Sequence, residues 1–79
     1  MVRGGLVELA ERQVLELLKS KPMTFDELRG EVKGVSGLIL REAVARLVRR
    51  GLVVKEPDYE RRRFLLRVVR VEEGRGGGG

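Results

Sequence analysis

Apolar residues recur at three- and four-residue spacing through the first part of the chain. Leu6, Val7, Ala10, Val14, Leu17 and Leu18 make one stripe, the spacing of a helix with a single buried face. This predicts a helix over residues 6–20, with Glu8, Glu11, Arg12, Glu16 and Lys19 on the opposite side and Pro22 just past its end. Leu9 and Leu15 fall off the stripe, either as ordinary half-exposed leucines or as a second contact surface. A second helix opens at Thr24-Phe25-Asp26-Glu27, the spacing of a capping box. The threonine hydroxyl can accept from the Glu27 amide, and the Glu27 carboxylate can accept from the Thr24 amide. Met23 and Leu28 occupy staple positions around it, Phe25, Leu28 and Val32 face inward, and the helix ends near Gly30 or Gly34.

Gly34-Val35-Ser36-Gly37 reads as the turn into a third helix, with Ser36 as its N-cap. Leu40, Ala43, Val44 and Leu47 then fall on one face and predict the buried side of a helix from about Leu38 to Arg50. Gly51 is placed for the left-handed residue that stops a helix in a Schellman motif, with Leu52 reaching back to Leu47. Beyond it the pattern changes period. Leu52-Val53-Val54 and Phe64 to Val71 read as two strands, with Pro57-Asp58 as the turn between them. In the return strand Arg63, Leu65, Arg67, Val69 and Val71 share one face and Phe64, Leu66, Val68 and Arg70 the other. Neither face is cleanly polar, which suggests a strand covered on both sides. The expected fold class is α+β, three helices followed by a β-hairpin.

Composition narrows the chemistry. The chain has 79 residues, enough for one small domain. It has no cysteine and no histidine, which removes disulfides, zinc sites of the Cys/His type, thiol chemistry and histidine acid–base catalysis. No nucleophile–base pair, metal-ligand set or phosphate-cradling glycine loop stands out, so the expectation is a protein that is not an enzyme and needs no cofactor. Capping accounts fully for the spacing of Thr24, Asp26 and Glu27. No signal-peptide core and no membrane-length apolar run is seen, so the expected location is cytoplasmic.

The net charge of +5 is unevenly spread. Basic and acidic residues balance over 1–40, whereas residues 41–70 carry ten basic groups against Glu42, Glu56, Asp58 and Glu60. The surplus therefore sits on the third helix and the hairpin, a localised basic surface of the kind that attracts polyanions. Residues 72–79 are glycine-rich and cannot build a core, so they read as a disordered tail. Residues 1–5 read as a flexible start, which leaves 6–71 as the domain.

A capped short helix, a turn, a longer helix ending Leu47-Val48-Arg49-Arg50-Gly51-Leu52-Val53, and then a basic hairpin resembles the winged helix-turn-helix regulators of the MarR and ArsR type and similar small archaeal DNA-binding proteins. The resemblance spans about residues 6–71. It implies a transcriptional regulator that inserts its third helix into the major groove of double-stranded DNA and lays its wing on the neighbouring backbone or minor groove. Carried onto this chain, the DNA-contacting candidates on the third helix are Ser36, Gly37, Leu38, Arg41, Glu42, Ala45, Arg46 and Arg49. Those on the wing are Lys55, Arg61, Arg62 and Arg63. Regulators of this kind read two half-sites, which implies a homodimer, with Leu6 and Leu9 as apolar surface for it. Many ion-pair formers and few thermolabile residues fit a thermophilic, archaeal source.

The outward face of the third helix leaves other readings open. Leu38 can touch only a thymine methyl, and Glu42 can accept from cytosine or repel phosphate. The same face would serve a winged helix used as a protein–protein interaction module, and the basic unit could bind RNA, although Tyr59 and Phe64 are few for a stacking platform.

Overall fold

The computed structural model describes the backbone of residues 2–69 and the side chains of residues 5–69. The expected domain end at 71 and the tail 72–79 lie outside the described residues. The elements run α1 (Val2–Ser20), β1 (Met23–Thr24), α2 (Phe25–Glu31), α3 (Gly37–Arg49), β2 (Val53–Asp58) and β3 (Arg63–Val68). The strands form one antiparallel sheet in the order β1-β3-β2. Three helices with a small antiparallel sheet make an α+β fold consistent with a winged helix. No helix among the described residues is long and apolar enough to cross a membrane.

Local chemistry sets the helix boundaries. The Thr24 hydroxyl accepts from the Glu27 amide at 3.1 Å and the Thr24 amide donates to the Glu27 carboxylate at 2.9 Å, so the capping box is complete. Ser36 caps α3 by accepting from the Ile39 amide at 3.2 Å. At the other end of α3, Gly51 has φ 78°, its amide donates to the Val48 carbonyl, and the Leu52 amide donates to the Leu47 carbonyl at 2.9 Å. Those two bonds are the Schellman pair, and only glycine takes that φ without steric cost. α1 begins at Val2 rather than at residue 6 and carries Gly4 and Gly5 within it. Two weak helix formers did not stop it, because propensity is a preference that a continuing ladder of backbone hydrogen bonds overrides.

The core joins all the layers. Val14 and Leu18 of α1, Leu28 of α2, Leu40 and Leu47 of α3, and Val53 and Leu66 of the sheet pack in one buried cluster. The expected inward face of α3 (Leu40, Ala43, Val44 and Leu47) is buried throughout. A smaller cluster of Val7, Ala10 and Ala43 joins the first half of α1 to α3. Ala10 and Ala43 are both fully buried, and their small side chains let the two helices approach closely.

Three expectations are corrected here. First, Met23 and Thr24 form a strand that was not foreseen. They pair with Leu66 and Leu65, so Thr24 is both a sheet residue and a helix cap. Second, Pro57 and Asp58 are not the turn. They are the last residues of β2, paired with Phe64 and Arg63, and the reversal is Tyr59–Arg62. Proline is tolerated because β2 is the sheet edge, where a missing N–H need leave no ladder bond unmade. Third, Glu11 is not on a solvated face: it is only 7% exposed. On the Leu66 face of β3, Leu66 is buried, Val68 half-buried and Phe64 exposed, while the opposite face is only partly covered. There Leu65 and Val69 are half-buried and Arg67 is exposed, in an ion pair with Glu56 at 3.0 Å.

Candidate nucleic-acid interface

Two elements define an open groove of about 800 Å³. One wall is α3, which presents Arg41, Ala45 and Arg49 one helical turn apart, with Val44 and Val48 as the floor beside them. The other wall is the hairpin. Because side chains alternate along a strand, Lys55 and Phe64 lie on the same sheet face as the buried Val53 and Leu66, but beyond the end of the core, where that face looks into the groove. Arg61, Arg62 and Arg63 complete the hairpin side, and Phe25 and Asp26 at the start of α2 close the end.

The groove is strongly cationic. Arg41, Arg49, Lys55, Arg61, Arg62 and Arg63 all line it, and Asp26 is the one acidic residue that does. Among the described residues, only Arg61 of these six has an ion-pair partner, Asp58, at 3.9 Å. Two cations stand over aromatic rings, Arg41 over Phe25 at 5.5 Å and Lys55 over Phe64 at 5.7 Å from the centroid. Each is within range of a cation–π attraction, which holds the charge at the groove wall without neutralising it.

The hairpin tip is shaped by two features. The Asp58 carboxylate accepts from the Arg61 amide at 3.3 Å, closing the first half of the loop. Arg62 has φ 55°, a left-handed conformation, and for a residue with a β-carbon that conformation costs about 1–2 kcal/mol. Glycine would remove the strain but add about 0.5–1 kcal/mol of unfolded-chain entropy. Arg62→Gly is therefore expected to raise stability by about 0.5–1 kcal/mol. Chemical denaturation checks it, and a loss of stability would mean that the arginine makes contacts that outweigh the strain.

The remaining expected site residues are placed elsewhere. Ser36 uses its hydroxyl as the α3 cap. Gly37 lies against the Arg29 side chain, whose Nε is 3.5 Å from where a β-carbon would stand. Leu38 and Glu42 are exposed on α3 outside the groove lining, Leu38 at 79%. Arg46 turns toward α1, its Nε 3.2 Å from the Glu11 carboxylate, and Arg50 donates to the same carboxylate at 3.4 Å. The Arg46 contact is an ion pair without hydrogen-bond alignment, since that carboxylate oxygen makes no hydrogen bond.

Sequence reasoning did not single out Phe25 for this surface, and it weighed Phe64 only as one of two aromatics too few for a stacking platform. The capping box offered a clue to Phe25, since it fixes that residue at the first turn of α2, but nothing local places Arg41 over its ring. No protein-family model matches the chain, and no curated protein matches it in sequence.

Proposed function

We propose that this chain is a double-stranded DNA-binding winged helix, with α3 as the recognition helix and β2–β3 as the wing, acting as a transcriptional regulator of the MarR and ArsR kind from a thermophilic archaeon. The observation that carries the reading is the groove: six cations from two separate elements, five of them without an ion-pair partner among the described residues, around one surface. A charge run on a solvated face would scatter its side chains. Here the helix and the hairpin bring theirs to the same groove, as an inserted helix and a wing on the neighbouring backbone would require. Leu6 and Leu9, exposed at 37% and 43% on α1, are the surface we assign to a homodimer that would read two half-sites.

The test is a binding titration with duplex DNA over a salt series. Each neutralised phosphate contributes about 0.9 to the slope of log affinity against log salt, so six groove cations set an expected slope of about −5. No binding at low salt would sink the proposal. Duplex RNA is expected to bind more weakly, because its deep, narrow major groove does not admit a helix. The exposure of Leu38 on α3 favours one second reading, a protein-interaction module, and a flat salt response would point there.

A further inference from the structure

We propose that the groove also takes an unpaired nucleobase, stacked on Phe64, so that the preferred ligand is duplex DNA adjoining a single-stranded stretch. This deepens the DNA-binding reading and rests on it.

Phe64 is the starting point. It is 57% exposed, although it sits on the sheet face that elsewhere supplies Leu66 and Val53 to the core. The ring is thus left uncovered over the groove by the hairpin's extension past the helices. Solubility does not call for an exposed apolar aromatic there. Phosphate contact does not call for it either, because phosphates are met by cations and hydrogen-bond donors.

The surroundings select the ligand. Lys55 stands 5.7 Å from the Phe64 centroid, and Arg62 and Arg63 directly precede the ring in sequence. The floor beside α3 is apolar, formed by Val44 and Val48. A partner for this arrangement needs a flat π-face next to negative charge. Within a duplex the base faces are already stacked on one another and only their edges reach the grooves. Where pairing ends, the strand still carries its phosphates but its bases are free to turn. An aromatic ring accepts such a base whatever its identity, because every base has a π-face. Phe64 has no hydrogen-bonding group, so the contact would be indifferent to sequence. An acidic peptide would satisfy the charge but would leave the ring without a planar partner.

Three ligands and three proteins test this. The ligands are a blunt duplex, the same duplex with a short single-stranded overhang, and that duplex with an abasic overhang. The proteins are the wild type, Phe64→Leu and Phe64→Tyr, each checked for folding by thermal denaturation. The wild type is expected to bind the overhang duplex about tenfold more tightly than the blunt one, with most of the gain gone when the overhang is abasic. Phe64→Leu should lose the preference, binding blunt and overhang duplexes alike whatever the loss of the Lys55 contact does to absolute affinity, and Phe64→Tyr should retain it. A 2-aminopurine in the overhang should be quenched on binding wild type and not on binding Phe64→Leu. Equal affinity of the wild type for blunt and overhang duplexes, or a preference that survives in Phe64→Leu, would overturn the stacking proposal while leaving duplex binding intact. Failure to bind any of the three at low salt would overturn both.

Discussion

Replacing Arg61, Arg62 and Arg63 together with alanine is expected to weaken duplex binding by roughly two to three orders of magnitude at 0.1 M salt. The reasoning is electrostatic. Three phosphate contacts account for about 2.7 in the slope of log affinity against log salt, and one decade of dilution below molar salt multiplies that into the affinity. The slope itself should fall by about the same 2.7, which separates lost phosphate contacts from a general loss of fit. The fold should be unaffected. All three side chains are exposed, two lie in the turn and one opens β3, and the single ion pair removed, Arg61 with Asp58 at 3.9 Å, belongs to a class worth about 0–1 kcal/mol. An unchanged slope with an intact fold would take the hairpin out of the interface.

Leu47→Ala should be strongly destabilising. Leu47 is fully buried in the main cluster, as Leu28 and Leu40 are. Truncating a leucine at such a site removes about 2–5 kcal/mol. A chain of 79 residues has only about 4–12 kcal/mol in total at the usual 0.05–0.15 kcal/mol per residue. The variant is therefore expected to lose a large fraction of its stability, read as a fall in the urea midpoint with little change in slope. Leu38→Ala, on the exposed side of the same helix, should stay within about 0.5 kcal/mol of the parent. Equal effects at the two positions would mean that α3 is not seated as described.

The features legible in the sequence are those made by neighbours along the chain. The capping box needs residues 24 and 27, the α3 cap residues 36 and 39, and the Schellman stop residues 47 to 52. Each depends on chemistry within one or two helical turns, so the sequence alone placed all three. The inward face of α3 was legible for a similar reason, because helical periodicity repeats within a short window. What was missed depends on partners far along the chain. Met23 and Thr24 form a strand only because Leu65 and Leu66 lie beside them, and two residues carry no alternation to detect. The turn was misplaced because proline is a strong local signal. The actual reversal rests on Asp58, which the sequence reading placed within the turn rather than before it, and on an arginine at positive φ that does not stand out without the paired strands. Arg46 was grouped with the outward-facing arginines because a helical wheel cannot see that Glu11 waits across α1.

The site was legible as a total and hidden as an arrangement. Charge counting located the surplus on α3 and the hairpin. It could not separate Arg41 and Arg49, which line the groove, from Arg46 and Arg50, which face α1. Nor could it show that the hairpin sets an uncovered Phe64 among those cations.

The Glu11 carboxylate has a consequence for kinetics. By engaging Arg46 and Arg50 on one side of α3, it offsets positive charge there and leaves the groove cations as the unbalanced set. The domain's unpaired charge is then concentrated on the groove side, while the α1 side of α3 holds two arginines against one carboxylate. A polyanion exerts a torque on such a molecule as well as an attraction, so the domain would arrive groove-first and fewer encounters would be wasted on wrong orientations. A buried acid remote from the groove would thereby set how fast a complex forms, while contributing nothing to the contacts that hold it.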